Sequence, residues 1–245
     1  MKTLQQFDHI YLIGIGGIGM SALARYFKFT GKQVGGYDKV HTTLTQKLIE
    51  EGIAIHFDDL GTQIPKQFTD PDTTLVIYTP AIKVLGELEY FQQHSFAILK
   101  RAEVLGALTK TYKGLCVAGT HGKTTTSSLL AHMLTEVGVG CTAFLGGIAS
   151  NFDSNLVLNA QSPYAVIEAD EFDRSFLQLS PFAAIITATD PDHLDIYGNS
   201  NAFEEGFRQF SLRIDPKGNC IQKEGLSLPS LAAVRTYAID SQTAD

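Results

Sequence analysis

Gly119-Thr120-His121-Gly122-Lys123-Thr124-Thr125-Thr126 sets a lysine and a run of hydroxyls directly behind two glycines. That grouping suits a polyphosphate. Glycines let backbone N–H groups wrap an anion, a lysine reaches the outer phosphate oxygens, and the first hydroxyl offers an oxygen to a divalent cation. Lys123 is the candidate catalytic cation, and Thr124 the candidate ligand for Mg²⁺. The G-K-T core is that of a phosphate-binding loop, but Val117 stands where the usual first glycine would be, so the loop is shorter than the standard form. The bland alternative is a Gly-Lys-Thr helix start with no ligand.

A second cradle lies nearer the N-terminus. Gly14-Ile15-Gly16-Gly17-Ile18-Gly19 matches G-x-G-x-x-G, and Asp38 follows at the end of the next apolar run. Such glycines allow a tight turn and close backbone approach to a pyrophosphate, while an acid at the position of Asp38 usually meets a ribose hydroxyl. The alternative is that these glycines serve only close packing of helix on strand. A nicotinamide enzyme would use this motif, but no hydride-transfer site follows it; His9, His41, His56 and His94 are isolated and read as surface or packing residues. A dehydrogenase needs one cradle, whereas an ATPase acting on a nucleotide-linked substrate needs two.

Two acidic elements complete the inventory. Glu168-Ala169-Asp170-Glu171-Phe172-Asp173 and Asp190-Pro191-Asp192-His193-Leu194-Asp195 each follow an apolar run. Ligands of open parallel sheets gather at the carboxyl ends of strands, so both elements can reach the phosphate loop. A carboxylate with a neutral imidazole suits a second divalent cation, which nominates Glu168 and His193. The alternative is solvated loop charge with His193 capping a turn.

The elements that must carry these groups alternate as in a parallel α/β sheet. Strands are predicted at His9–Gly14, Gln33–Tyr37, Thr74–Tyr78, Phe96–Leu99, Gly114–Ala118, Tyr164–Ala169 and Phe182–Thr187. Helices are predicted at Gly17–Thr30, Leu44–Glu51, Arg101–Leu108, Lys123–Glu136 and Asn201–Phe210, the last with Phe203, Phe207 and Phe210 on one face. A polar connector at Thr109–Lys113 separates two domains, residues 1–110 and 111–245, and the last thirty residues are loosely patterned. The fold class is thus α/β: a Rossmann-like N-terminal domain and a P-loop ATPase domain, both with mostly parallel sheets.

Bulk composition agrees. The 245 residues are 44% hydrophobic and 18% charged, enough for a packed core, and the net charge of −7 argues against a nucleic-acid or anionic-membrane surface. Cys116, Cys141 and Cys220 form no C-x-x-C pair, the N-terminus MKTLQQFDH has no apolar signal core, and no stretch approaches 18 apolar residues. A soluble cytoplasmic protein is expected.

Taken in order, GIGGIGMSALA (Gly14–Ala24), KRAEVLGAL (Lys100–Leu108), AGTHGKTTT (Ala118–Thr126), Gly146-Gly147, EADEFDRSFLQLSP (Glu168–Pro181) and DHLDIYG (Asp192–Gly198) resemble the Mur ligase family across nearly all of residues 9–200. The resemblance implies an ATP-dependent ligase that activates the carboxylate of UDP-N-acetylmuramate as an acyl phosphate and joins L-alanine to it. A sister branch that adds a recycled tripeptide departs from G-x-G-G-x-G, whereas Gly16-Gly17 is intact here. It implies the diphosphate at Gly14, Gly16, Gly17, Ile18 and Gly19, uridine near Asp38, and the sugar acid at the Gly146–Asn151 loop, with Gly146, Gly147 and Asn151 as contacts. ATP is implied at Gly119, Thr120, His121, Gly122, Lys123, Thr124 and Thr125, and Mg²⁺ at Thr124, Glu168 and His193. It further implies a third, C-terminal domain that receives the amino acid. The chain stops at Asp245, inside the expected central domain, and so reads as a front fragment, able to hold the sugar nucleotide and not to turn over alone. Thr187-Ala188-Thr189 departs from the family's Thr-Asn-Ile ahead of the acidic–histidine motif.

Overall fold

The computed structural model describes residues 3–82, 84–192 and 194–238. His193 and the side chains of Leu194 and Asp195 lie outside the described residues, and with them the expected role of His193. The chain forms two compact units, Met1–Val104 and Leu105–Asp245.

The first unit alternates strand and helix: β1 (His9–Ile13), α1 (Ile18–Phe29), β2 (Gln33–Tyr37), α2 (Thr43–Glu50), β3 (Ala54–His56), β4 (Thr74–Tyr78), α3 (Gly86–Gln93) and β5 (Ala97–Lys100). Its strands pair in parallel in the order β3-β2-β1-β4-β5. The apolar runs HIYLI and TLVIY form the central strands because helices cover both faces, as their near-continuous burial requires. Tyr11, Phe68 and Phe91 pack edge-on or tilted at 5.0–5.1 Å and fill one face. The order of the strands turns at β1, so the glycine loop leaving β1 opens at the switch point of the sheet.

α4 (Arg101–Thr111) runs directly into β6 (Lys113–Ala118). The expected polar connector at Thr109–Lys113 is therefore absent. Thr109 is buried; its hydroxyl donates to the Gly106 carbonyl at 2.8 Å and accepts from the Ser180 amide at 3.0 Å, which lets a polar triplet continue the helix.

The second unit continues with α5 (Lys123–Glu136), β7 (Thr142–Ala149), β8 (Ser154–Val157), β9 (Tyr164–Ala169), β10 (Ala183–Ile186), α6 (Leu194–Tyr197), α7 (Ser200–Ser211), β11 (Asn219–Lys223) and β12 (Ala233–Tyr237). Its sheet has the order β12-β11-β10-β6-β9-β7-β8, parallel except for the β7–β8 hairpin. Two expectations are corrected here. The Gly146–Asn151 segment is mostly strand, since β7 extends to Ala149 before the hairpin turns. The loosely patterned tail holds two parallel strands, whose short, half-exposed sequences NCIQK and AVRTY lack a clean apolar run. On α7, Phe203, Phe207 and Phe210 are fully buried, and Phe176 stacks on Phe210 at 5.1 Å. No helix among the described residues is long and apolar enough to cross a membrane.

Candidate functional site

Helix starts separate into two kinds. α2 is capped by the Thr42 hydroxyl, α7 by the Asn199 side chain, and α3 by the Asp59 carboxylate, which accepts from the Gly86 and Glu87 amides. α1 and α5, which follow the glycine loops, begin at Gly17 and Gly122 with no side-chain cap. An uncapped first turn presents N–H groups and the positive end of the helix dipole to an anion.

The first loop closes on its own acid. The Gly14 and Ile15 amides donate to the Tyr37 carbonyl at 2.8 and 3.0 Å, drawing the loop over the end of β2. Asp38 then accepts from the Gly16 amide at 2.7 Å and from the Val40 amide at 3.0 Å. Asp38 directly follows β2, with one lone-pair direction of each oxygen engaged by backbone. Gly14, Gly16, Gly17, Ile18 and Gly19 lie together along this turn, Gly17 exposed at its tip. A cation accompanies them that sequence reasoning passed over. Arg101, at the head of α4, comes so near Gly19 that a methyl there would overlap its guanidinium. Its signal was the basic pair Lys100-Arg101 that opens KRAEVLGAL.

His56 was not isolated, as its sequence setting had suggested. Its Nε2 lies 2.6 Å from Glu87 Oε1, and the Tyr11 hydroxyl donates to Glu87 Oε2 at 2.6 Å. The Leu60 amide donates to the same carboxylate at 3.0 Å, which satisfies a side chain with no solvent exposure. Burial, then the neighbouring Glu87 charge, pushes the Tyr11 phenol up. His41 stacks on Phe57 and His94 on Tyr90, both packing roles.

In the second unit β6 ends at Ala118 in the interior of the sheet, and the chain turns through Gly119–Gly122 into α5. Gly119 has φ +135° and faces Thr187 and the Ala188 backbone so closely that no side chain fits. The Thr187 hydroxyl, with one proton to give, lies within hydrogen-bond reach of the carbonyls of His121 and of Ala118, the latter at 3.1 Å, and the Thr120 amide donates to the Ala188 carbonyl at 3.1 Å. The departure at Thr187-Ala188-Thr189 is therefore compatible with a held loop. Thr120 is buried, whereas the His121 and Thr125 side chains are exposed at the mouth.

Two carboxylates converge on this loop. The Thr124 hydroxyl lies 3.0 Å from both Glu168 oxygens, and the Gly146 amide donates to Glu168 Oε2 at 2.9 Å. Gly146 is bare because a methyl there would collide with the Glu168 carboxylate. Gly147 also faces Thr124, while Asn151 is exposed in the hairpin turn. Lys123 Nζ donates to the Gly119 carbonyl at 2.7 Å and to Glu171 Oε1 at 2.8 Å. Glu171 was quoted within its acidic run but not singled out. Thr124, Glu168, Gly146 and Gly147 lie together here.

A hydroxyl and a carboxylate form a hard-oxygen set that fits Mg²⁺, which takes few protein ligands and completes its shell with water and phosphate. No group of three His, Cys, Asp or Glu side chains that could hold a metal ion is found among the described residues. The three thiols are buried. Burial pushes Cys141 up to about 11 and raises Cys116 and Cys220 as well.

Comparison with known proteins finds relatives of both units. Residues 9–113 match the catalytic domain of the Mur ligase family, and residues 117–224 match the Mur ligase middle domain. UDP-N-acetylmuramate–L-alanine ligase of Phocaeicola vulgatus is 55% identical over 239 residues, 96% of this chain and 52% of the relative. That of Porphyromonas gingivalis is 51% identical over 96% of this chain and 53% of its own length. The chain thus spans about half the length of these curated relatives. Among solved structures, UDP-N-acetylmuramate-alanine ligase of Thermotoga maritima superposes with a TM-score of 0.81 at 31% identity, covering 95% of this chain and 53% of that one. The UDP-N-acetylmuramate:L-alanyl-gamma-D-glutamyl-meso-diaminopimelate ligase of Neisseria meningitides gives 0.84 at 26% identity, covering 94% and 78%. With both of its units matched in order, the chain belongs to the Mur ligase family.

Proposed function

We propose that this chain is the sugar-nucleotide-binding and ATP-binding portion of an ATP-dependent ligase that joins L-alanine to the carboxylate of UDP-N-acetylmuramate. The observation that carries the reading is the start of α5, where Lys123 and Thr124 each meet a carboxylate, Glu171 and Glu168, over an uncapped helix turn. L-alanine is preferred to a tripeptide because the relatives at 55% and 51% identity are L-alanine ligases, whereas the tripeptide ligase structure is 26% identical.

The chemistry follows from the poor reactivity of a carboxylate. Its oxygen attacks the γ-phosphate of ATP and expels ADP, forming an acyl phosphate; the amine of L-alanine then displaces phosphate and leaves an amide. The first step brings an anion onto a polyanion, so neutralising charge is most of the task. In this reading residues 111–245 bind ATP, with the Gly119–Gly122 loop around the phosphates and the Lys123 ammonium on the β- and γ-oxygens. Thr124 and Glu168 would hold Mg²⁺, whose bound charge would further neutralise the phosphates; His193 is proposed as a further ligand. His121 and Thr125 would line the mouth. Residues 1–110 bind the sugar nucleotide, with Gly14, Gly16, Gly17, Ile18 and Gly19 on the diphosphate, Asp38 on the ribose, and Arg101 beside them as a second source of positive charge. Gly146, Gly147 and Asn151 would face the sugar acid.

Calorimetric titration of one sample with UDP-N-acetylmuramate, with ATP·Mg²⁺ and with NADH tests the assignment. The first two bind and NADH does not; saturable NADH binding that UDP-N-acetylmuramate fails to displace would overturn it. In the full-length enzyme, Lys123→Ala raises the barrier by about 3–4 kcal/mol, the scale of one lost preorganised donor, and an unaltered turnover rate refutes the role given to Lys123.

A further inference from the structure

Beside the phosphate loop lies one carboxylate, carried by the segment after β9, that the proposed reaction leaves without a task. Glu171 is 2% exposed, and its two oxygens lie 2.8 and 2.7 Å from Lys123 Nζ. Apart from that ion pair, Oε2 has no hydrogen-bond partner among the described residues. The Lys123 ammonium carries three protons, of which one goes to the Gly119 carbonyl and one to Glu171 Oε1.

We propose that Glu171 is a positioning residue for Lys123, one that keeps its hold on the ammonium while the phosphates of a nucleotide displace only the Gly119 carbonyl. The proposal rests on the reading of this loop as the ATP site. Its physical basis is the unequal standing of the two acceptors. Gly119 offers a neutral carbonyl, and a phosphate oxygen makes the stronger, charge-assisted bond in its place. Glu171 is a desolvated anion, and stripping it of its cation leaves an uncompensated buried charge.

The frame around Glu171 supports a fixed acid. Asp173 and Arg174 both sit in the left-handed region, at φ 52° and 55°, without being glycine. Such a turn persists only where its surroundings over-determine it. Here the Arg174 amide donates to the Glu171 carbonyl at 3.0 Å and the Phe176 amide to the Asp170 carbonyl at 2.8 Å. The Tyr197 hydroxyl donates to the same Glu171 carbonyl at 2.6 Å, and the Arg174 guanidinium lies over the Tyr197 ring at 5.1 Å. A competitor that must swing aside for each nucleotide would sit on an exposed, loosely held segment. Glu171 sits on a braced one, and Lys123 is the longer, more adaptable member of the pair.

The test compares ATP and AMP binding to the 245-residue chain carrying Glu171→Gln or Glu171→Asp. ATP is titrated directly and AMP is measured by displacement of ATP. AMP lacks the phosphates that Lys123 reaches. Glu171→Gln is expected to lower the preference for ATP over AMP about tenfold, with AMP affinity unchanged, and Glu171→Asp is expected to recover part of that preference. Tighter ATP binding by Glu171→Gln would make the acid a competitor of phosphate and overturn the proposal. Equal losses for ATP and AMP would reduce it to a general structural role, and no change in either would remove it altogether. If the unaltered chain binds no ATP, the assignment of the loop itself fails, an outcome distinct from any behaviour of the variants, and the proposal falls with it.

Discussion

The two glycine loops look alike in outline and differ in what each adds to its backbone. Each leaves a parallel strand and opens a helix that begins at a glycine. In the first, backbone is the working part: amides of Gly14 and Ile15 bind the Tyr37 carbonyl, and the Gly16 amide binds Asp38. In the second, side chains are the working part, with Lys123 on Glu171 and Thr124 on Glu168. A backbone-built site tolerates varied side chains and forbids added bulk, whereas a side-chain-built site also depends on the charge and length of each group. Both loops hold one of the protein's own carboxylates where a ligand anion or cation would act, and in the second a lysine ammonium is paired with it.

This contrast can be broken at its strongest point by Gly119→Ala. The side chain would overlap the Thr187 hydroxyl and the Ala188 backbone at a φ of +135°, so the second loop has a backbone requirement as strict as the first. Loss of about 3–4 kcal/mol of stability in the second unit is expected in urea unfolding, the scale of combined overpacking and dihedral strain. A near-neutral result would mean that side chains alone define this loop.

Tyr197→Phe sharpens the contrast by removing a brace outside the loop. Burial, opposed by the Arg174 charge and reinforced by nearby acids, pushes the Tyr197 phenol up to about 12 from its ordinary 10.0. The folded chain therefore keeps a proton that the unfolded chain releases first. The associated stability is fully present below pH 10 and is lost as the pH climbs to about 12, by about 2 kcal/mol. Thermal midpoints measured from pH 9 to 12 should fall less steeply in the variant; parallel curves would show that Tyr197 titrates normally.

The smallest effect is expected in the first loop. Asp38→Ala removes the acceptor of the Gly16 and Val40 amides and should cost about 1–2 kcal/mol of first-unit stability, while Asp38→Asn, which keeps one carbonyl oxygen, should cost about half of that. If Asp38→Ala unfolds the unit outright, the loop is less self-supporting than its Tyr37 contacts indicate.

What could be read in the sequence follows the same division. The strands HIYLI and TLVIY, the α7 phenylalanine face and both glycine loops were legible because periodicity and spacing are local. The rule that ligands gather at strand ends brought the acidic run of Glu168 to the phosphate loop but assigned Glu168 and Thr124 to separate cations, and their direct contact across 44 residues was not foreseen. The Lys123–Glu171 pair escaped because Glu168 and Glu171 are alike in sequence and differ only in burial. Tyr11, His56 and Glu87 are scattered over three elements, and nothing local marks them as one network. β11 and β12 were invisible because strands so short and half-exposed depend on their neighbours for definition. Thr109 misled because a polar triplet resembles a connector until its hydroxyl is seen bonding back to the helix.

The tether between Thr187-Ala188 and the phosphate loop has a kinetic meaning. One hydroxyl spans the carbonyls on either side of the turn, and one carbonyl anchors its second residue, so the loop holds its shape before anything arrives. A nucleotide bound as proposed would have little chain to freeze at this point, and its capture would be governed by collision and release of water rather than by waiting for the turn to assemble.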